Sequence, residues 1–342
     1  MIAYLVRGRY MERQQEGTIV RMHLRAAACA AAFLTLSGTS AAQPSYPVKP
    51  IRIVIGTPAG GGSEISARLL GQLFTQAWGQ PFIVEPRPGA SGNIAAELVA
   101  KAPADGYTLY VCYGTHTVNP SIYPRVGYEP IREFTPITLI VTHYNALVVH
   151  PSLPVKTVKE LVALAKSHPG KMSYSSSGNG APNHLGMELF KMAAKIDIVH
   201  IPYKGAAPSR IDFLGGHVDT MFDVLRTALP YHEAGKSRIL AVASLQRSTL
   251  APQLPTVDES GYKDIEVKGW HGLLGPAGMP AALVNQIQGE IARGLLEPAM
   301  KEKLFKAGID VAASTPGEME AFMRADVVKW RNVVQAARIR AD

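Results

Sequence analysis

The sequence predicts an α/β protein in which short strands alternate with amphipathic helices. Three observations predict this class: short apolar runs, helical patterns with capping signals, and glycine-rich turns that join the two kinds of element. Because this alternation is typical of strands joined by crossover helices, we expect a mostly parallel sheet with helices on both faces. The 342 residues leave room for two domains.

The first half of the chain begins with the strand "IRIVIG" and a helix near 63–76. The next strands are "FIVEPRPG" and "YTLYVCYG", with a helix near 92–101 between them. The apolar runs "TPITLIVTHY" and "ALVVHPSLP" follow. A helix is then predicted over 157–167, because Thr157 and Glu160 have the spacing of a capping box.

The second half continues the same alternation. The run "KMSYSSS" predicts a strand, a helix follows near 183–194, and "IDIVHIPY" and "SRILAVAS" predict further strands. Two long helical patterns close the chain, over 281–297 and 316–336. Pro298 is expected to end the first of them, since proline cannot continue a helix.

The first 42 residues have the features of a secretory signal peptide. An apolar run over 26–36 follows two arginines and is too short to span a bilayer. The small residues in "SGTSAAQPS" predict cleavage near Ala42, and hence a periplasmic location. Met22 is an alternative start, because Glu12 and Glu16 are unusual in the basic region of a signal peptide. The alternative interpretation of the segment is an N-terminal membrane anchor.

Composition excludes several classes of function. The net charge is +8, and residues 1–42 carry five of the arginines, so the remaining chain is only mildly basic. It has no basic block of the kind that binds nucleic acid. Cys29 lies within the predicted signal, which leaves Cys112 alone in an apolar strand. One cysteine forms neither an intramolecular disulfide nor a metal cluster, so we expect a core thiol.

Two glycine-rich loops, each between a strand and a helix, are the strongest functional signals. The first, "GTPAGGGSE", nearly matches the phosphate-binding P-loop, but Gly62 occupies the lysine position. The second, "SSGNGAPN", follows the strand "KMSYSSS". A helix N-terminus offers unpaired N–H donors and about half a positive charge, which suits a carboxylate. A triphosphate would need the missing lysine.

Both loops leave the carboxyl end of a strand, which is where open α/β sheets bind ligands. They lie about one domain length apart, so we predict two lobes that each offer an anion site to a shared cleft. The alternative is that both loops are plain tight turns, since connections in α/β proteins are short.

Five further residues at strand ends are candidates for the same cleft. Thr115 is expected to donate a hydroxyl to an anion or to cap a turn. Tyr203 and the Gly205 N–H would reach a ligand or lie in a surface loop. Asp223 would bind a ligand ammonium or hydroxyl, or cap a helix. His116 is a candidate base or a hydrogen-bonded loop histidine.

Catalytic and metal-binding patterns are absent from the sequence. It contains no HExxH, CxxC or GxSxG motif, and no His, Asp and Glu residues have clear metal-ligand spacing. We therefore predict a protein without catalytic residues, metal or cofactor. A periplasmic enzyme with His116 as base is the weakest alternative, because no nucleophile or orienting partner is identifiable.

Several motifs in fixed order resemble the substrate-binding proteins of tripartite tricarboxylate transporters, the Bug family. They include "YPVKPIRIVIGTPAGGGSEISARLL", "GTHTVNPSIY", "SSGNGAPNHLGMELFK", "IVHIPYKGAAPS" and "LLGPAGMP", and the likeness covers 46–342. The resemblance implies a type II periplasmic binding fold, in which two crossover strands join two α/β lobes that close on a ligand. Lobe 1 would comprise 43–146 and 247–342, and lobe 2 would comprise 147–246.

The resemblance also implies a ligand site, partners and a role. The cleft residues implied by matching motifs are Thr57, Ala59, Gly60, Gly61, Gly114, Thr115, Ser177, Gly178, Asn179, Asn183, Tyr203, Gly205 and Asp223. The implied protein is a monomer that captures a small organic acid, a carboxylate or dicarboxylate, and delivers it to membrane transporter subunits. A ligand sensor that presents its closed form to a sensor kinase is the alternative.

Some positions depart from the family pattern. The first loop has Ala59 and Glu64 where a proline and an aspartate are more usual, and the second continues with Ala181, Pro182 and Asn183 rather than serines. Val224, Arg226 and His271 replace a usual asparagine, proline and aromatic residue. If Arg226 faces the cleft, it would clamp a second carboxylate bidentately; the alternative is a solvated surface arginine.

Overall fold

Ten strands form the sheet of the part of the chain that the structure describes. The computed structural model describes residues 46–58, 62–306 and 309–340, so the predicted signal peptide lies outside the described residues. The strands are β1 (Ile51–Ile55), β2 (Phe82–Pro86), β3 (Thr108–Tyr113), β4 (Phe134–Val149), β5 (Ser173–Ser176), β6 (Val199–Pro202), β7 (Thr220–Val224), β8 (Arg238–Val242), β9 (Lys268–Pro276) and β10 (Asp310–Val311).

The α-helices of the described residues flank these strands. They are α1 (Gly62–Trp78), α2 (Asn93–Ala100), α3 (Thr115–Ile122), α4 (Val158–Ser167), α5 (Pro182–Ala194), α6 (Ala206–Leu214), α7 (Leu225–Glu233), α8 (Ala281–Leu295), α9 (Pro298–Lys306) and α10 (Pro316–Ala336). No helix of the described part is both long and apolar enough to cross a membrane. The predicted alternation of strands and helices is confirmed.

The sheet is mixed, so the prediction of a mostly parallel sheet is wrong. Its order is β2-β1-β3-β9-β4-β7-β5-β6, and β8 and β10 also pair with β4. β1 is parallel to β2 and β3, and β5 is parallel to β6 and β7, but β4 and β9 run antiparallel to their neighbours. The sheet therefore contains two parallel groups, β2-β1-β3 and β7-β5-β6, which are joined at the centre by the antiparallel strands β9 and β4.

The long strand β4 explains this difference. It contains 16 residues and pairs with β9 over its first part and with β7 and β8 over its last part. The sequence predicted two separate runs here, because the polar stretch 142–145 interrupts the apolar pattern. That stretch lies where β4 passes from one parallel group to the other, so the polar residues mark a crossing rather than a turn.

Separate cores support the two parallel groups. Val54, Tyr110 and Trp270 belong to one buried cluster, and Tyr174 and Phe222 belong to another. Three side chains from the segment 247–267 lie in the second cluster: Val257, Ile265 and Val267. The predicted lobe boundaries stay a prediction, but these side chains pack with the core around β5 and β7.

Helix boundaries follow local signals. Thr157 caps α4, since its hydroxyl oxygen accepts the Glu160 N–H at 3.2 Å, while the Glu160 carboxylate accepts the N–H of Lys156 instead of closing the predicted box. A complete capping box occurs at Thr315 and Glu318, at the start of α10. Pro298 follows the end of α8 and begins α9, where its missing N–H costs nothing.

Cys112 is a buried free thiol in β3, as predicted. Its Sγ donates to the Gly272 carbonyl at 3.4 Å, and burial raises the pKa of the thiol. A thiol that stays protonated is a poor nucleophile, so Cys112 acts as a small core residue.

Gly186 allows α5 to pack against the segment that precedes β9. A Cβ at this buried position would lie 2.5 Å from Cγ2 of Val267, closer than real atoms approach. We expect Gly186→Ala to lower the free energy of unfolding by about 1–3 kcal/mol through overpacking. Urea denaturation measures this change. Gly289→Ala in α8 is the matched control: nothing lies within 4 Å of its Cβ position. This exposed substitution should raise stability by up to about 1 kcal/mol, and equal effects at both sites would contradict the packing argument.

Candidate functional site

The first glycine loop joins β1 to the N-terminus of α1. Ala59, Gly60 and Gly61 lie outside the described residues. The side-chain oxygen of Thr57 is buried and has no hydrogen-bond partner among the described residues. Gly62 begins α1 close to the ring of His271: a Cβ added at Gly62 would lie 3.0 Å from Cε1 of that ring. This helix start therefore lies against β9.

The turn between β3 and α3 lies beside the second glycine loop. A Cβ at Gly114 would lie 3.4 Å from Cγ of Pro182, the first residue of α5. Thr115 is buried, and its hydroxyl donates to the Ser91 carbonyl at 2.9 Å. The structure therefore brings these two predicted regions together, but it uses the Thr115 proton within the protein.

The second glycine loop is held by its own side chains. Oδ1 of Asn183 accepts the Ser177 hydroxyl at 3.0 Å and the Ser177 N–H at 3.3 Å. Gly178 has a φ of 129°, a backbone conformation that favours glycine. The N–H of Gly180 donates to Nδ1 of His184 at 3.0 Å. Asn179 follows Gly178 in this loop, so all four predicted residues of the loop lie together.

The loop after β6 is joined to the second glycine loop through the backbone. The Gly205 N–H donates to the Ser177 carbonyl at 3.1 Å, and the Tyr203 N–H donates to the Ser176 carbonyl at 3.0 Å. The Tyr203 hydroxyl donates to the Asp212 carboxylate, and burial together with this hydrogen bond raises the pKa of Tyr203 to about 12. The Gly205 N–H, which was predicted to reach a ligand, instead joins two loops, and the Tyr203 hydroxyl joins its loop to α6.

Asp223 forms a buried bidentate ion pair with Arg210. Nε of Arg210 lies 2.7 Å from Oδ2, Nη2 lies 2.7 Å from Oδ1, and the Val224 N–H donates to Oδ1 at 2.9 Å. The side chains are 17% and 6% exposed for Arg210 and Asp223. Both carboxylate oxygens therefore have strong donors, and the structure gives Asp223 a role in connecting α6 to β7.

His116 is a core residue of α3. It is 1% exposed, its Nε2 lies 3.0 Å from the Pro130 carbonyl oxygen, and its ring stacks on Tyr128. Because a carbonyl oxygen can only accept, Nε2 carries the proton. Burial lowers the pKa of His116 to about 4. These contacts favour the interpretation of His116 as a hydrogen-bonded structural histidine over its interpretation as a catalytic base.

A cavity of about 290 Å³ lies between α1 and the turn from β7 to α7. Its lining comes from both parallel groups and from the two central strands. The lining residues are Gly62, Ile65, Ser66 and Leu69 of α1, Val141 and His143 of β4, His271 of β9, Val224, Arg226 and Thr227 at the turn, and Leu304 and Ile309 near the end of α9. This size and mostly apolar lining are typical of small-molecule sites.

Two histidines and a serine meet within this cavity. Oγ of Ser66 lies 2.8 Å from Nδ1 of His271, and the rings of His143 and His271 lie 6.1 Å apart. Burial lowers the pKa of His143 to about 4. Burial and the neighbouring His143 lower the pKa of His271 to about 3. Both rings are therefore neutral near pH 7.

Arg226 is the ionised side chain among the residues that line this cavity. It belongs to the first turn of α7 and makes no ion pair or side-chain hydrogen bond with any residue that the structure describes. None of the described residues that line the cavity carries a carboxylate. The Ser66 and His271 pair therefore lacks an acid among the lining residues to orient the imidazole, whereas Arg226 suits the binding of an anion.

A sequence model described as "Tripartite tricarboxylate transporter family receptor" matches residues 66–339. The chain belongs to this receptor family. The family consists of substrate-binding receptors, and the match confirms the resemblance that the motifs indicated. Within the described residues, no group of three or more His, Cys, Asp or Glu side chains is placed to hold a metal ion.

Solved structures of similar receptors agree with this fold. "R. palustris Rpa4515 with adipate" is 34% identical, with a TM-score of 0.78, and the match covers 86% of this chain and 99% of that chain. The periplasmic binding protein BugD is 34% identical, with a TM-score of 0.74 and coverage of 87% and 100%. "MatC (Rpa3494) from Rhodopseudomonas palustris with bound malate" is 28% identical, with a TM-score of 0.74 and coverage of 84% and 100%. This receptor therefore has the two-lobe α/β fold of periplasmic binding proteins.

Three departures of this receptor from the family pattern line the same cavity: Val224, Arg226 and His271. Ser66 and His143 line the cavity, but neither was predicted from the sequence as a site residue. A polar residue within an apolar run was the available signal for His143, which interrupts "TPITLIVTHY". No comparable local signal marked Ser66, because its partner His271 lies 205 residues away in the sequence.

Proposed function

We propose that this receptor is a periplasmic solute-binding protein that captures a small organic acid in the cavity between α1 and α7. The observation that carries the proposal is the cavity lining: among the described residues, Arg226 has no hydrogen-bond or ion-pair partner and no lining residue carries a carboxylate. A cavity whose lining has one cation and no anion attracts negatively charged ligands. Two similar receptors hold carboxylates, adipate and malate, in their solved structures.

The proposed binding motion is closure of two lobes about the central strands. The Ala243 N–H donates to the Asn145 carbonyl at 2.8 Å, and the Asn145 N–H donates to the Val267 carbonyl at 3.1 Å. Three chain segments thus pass side by side at the crossing, as a hinge requires. We propose 43–146 with the C-terminal part as lobe 1. Lobe 2 begins at 147, and the packing of Val257, Ile265 and Val267 favours extending it to about residue 267.

The predicted loop residues are proposed to shape the entrance of the site. Gly62 at the start of α1 lines the cavity, so the backbone N–H groups of this helix N-terminus are proposed to assist Arg226 in holding the acid. Ser177, Asn183 and Gly205 are proposed to act through the loop geometry that their hydrogen bonds maintain. We also propose that a monomeric receptor delivers the acid to membrane subunits of a tripartite tricarboxylate transporter, a role that the family match supports.

Thermal or urea unfolding in the presence of organic acids tests the proposal. An acid present at about one hundred times its Kd should raise the free energy of unfolding by about 2.7 kcal/mol. A panel of mono-, di- and tricarboxylates, with the matching neutral amides as controls, should show stabilisation by some acids and by no amide. If no acid stabilises the protein, it is not a carboxylate receptor.

Delivery is tested separately. Membrane subunits should co-purify with the acid-loaded receptor, and deletion of the receptor should abolish uptake of the same acid. Recovery of a sensor kinase in place of transporter subunits would support the sensing alternative and contradict transport.

A further inference from the structure

The apolar part of the cavity sets a condition on its ligand. Six of the lining side chains are hydrocarbon: Ile65, Leu69, Val141, Val224, Leu304 and Ile309. Ile65 is 59% exposed, although it is a large apolar residue. A hydrocarbon group placed against this wall would remove it from water, whereas a hydroxylated group would lose hydrogen bonds to water there.

The polar part of the cavity is small and uncharged apart from Arg226. The Ser66 hydroxyl already bonds Nδ1 of His271 at 2.8 Å, which leaves Nε2 of His271, His143 and Thr227 as the remaining neutral polar side-chain groups among the described lining residues. Three such groups cannot satisfy a ligand that carries a hydroxyl on every carbon. The polar part of the cavity therefore favours a ligand that has few polar groups besides its carboxylate.

Arg226 is placed to receive that acid. It also borders a small hollow with Tyr144 and Asp310, but it makes no ion pair with Asp310. Phe305, which is 40% exposed, borders the same hollow. Arg226 thus lines two hollows that exposed apolar side chains also line, and its planar fork can take both oxygens of one carboxylate.

We propose that Arg226 is the specificity-determining residue of this receptor, and that its ligand is a carboxylic acid with a hydrocarbon body. One carboxylate binds the Arg226 guanidinium bidentately, while the body of the acid lies against Ile65, Leu69 and Val224. The inference rests on the proposed function and narrows its ligand class, because hydroxylated acids of the same length should bind more weakly.

Calorimetric titration of the purified receptor with matched ligands tests this inference. The first pair is adipate and mucate, which have the same carbon chain but differ by four hydroxyl groups. The second pair is phenylacetate and phenylacetamide, which differ in the charge that Arg226 would bind. We expect the hydrocarbon member of the first pair and the charged member of the second pair to bind at least about tenfold more tightly.

Substitutions at Arg226 test its role directly. Arg226→Met should weaken the binding of the preferred acid by about tenfold to hundredfold, because a charge-assisted bidentate contact is lost. Arg226→Lys keeps the positive charge but loses the planar guanidinium, so its affinity for the acid should lie between those of the parent and Arg226→Met. Arg226 is exposed, so unfolding curves of both variants should match the parent. Arg324→Met, a change of the same kind on the exposed face of α10, should leave the Kd unchanged.

The binding results separate failure of this inference from failure of the proposed function. Binding of some acid with the same Kd in Arg226→Met, or equal binding of mucate and adipate, overturns the inference and leaves the proposed function standing. Binding of no acid by the parent protein overturns both.

Discussion

Arg210→Met is expected to lower the free energy of unfolding by about 3–5 kcal/mol, the largest effect of any single substitution considered. The change removes both guanidinium donors from the Asp223 carboxylate, which is 6% exposed and then keeps the Val224 N–H as its one donor among the described residues. A buried charge without its partner keeps its desolvation cost but loses the attraction that offset it. Urea denaturation followed by circular dichroism measures the loss.

Two further variants identify the cause. Arg210→Met combined with Asp223→Leu should recover much of the loss, since no buried charge then remains. Arg324→Met breaks an exposed pair with Glu320, whose side chains are 62% and 44% exposed, and should change stability by less than about 1 kcal/mol. A similar loss in Arg324→Met, or no recovery in the double variant, would contradict the buried-charge explanation.

Acidification from pH 7 to pH 4 should destabilise the protein through its buried histidines. Burial lowers the pKa of His116 to about 4, and burial together with His200 and Lys191 lowers the pKa of His184 to about 3. Both side chains are less than 5% exposed. The unfolded chain, with pKa values near 6.5, binds these protons first, so the free energy of unfolding decreases as the pH falls below about 6.5. The slope from these two histidines is at most about 2.7 kcal/mol per pH unit.

Glutamine at both positions removes the titration but keeps the hydrogen bonds. The amide of His116→Gln can donate to the Pro130 carbonyl, and that of His184→Gln can accept the Gly180 N–H. The double variant should show a flatter pH dependence between pH 7 and pH 4, whatever its stability at pH 7. An unchanged slope would exclude these two histidines as the source of the acid sensitivity.

The local elements were largely predictable because their signals are local. Thr157 and Glu160 lie three residues apart and start α4, and the glycine loops end β1 and β5 where predicted. The helices α3, α6 and α7 were not assigned, since each is short and has only eight or nine residues. Their helical state depends on packing more than on propensity.

The candidate site was predictable only in part. The regions around Ser177 and Gly205 meet because β5 and β6 are parallel neighbours that end at one edge. Gly114 belongs to the other parallel group and meets them at Pro182, which only the tertiary structure shows. The availability of their polar groups was not predictable: Tyr203 and Asp223 already have partners in α6. A residue type indicates what a side chain can bind, but its neighbours in space decide whether it is free to do so.

The sequence by itself determined the fold class, the family and the two glycine-rich loops between a strand and a helix, because each depends on motifs contiguous in the chain. The tertiary structure alone decided that the sheet is mixed, that Asp223 is paired with Arg210, and that Ser66, His143 and His271 meet beside Arg226. The physical reason is that β4 and β9 run antiparallel through the centre of the sheet. Their register places residues from distant parts of the chain in one cavity, and no local pattern encodes that register.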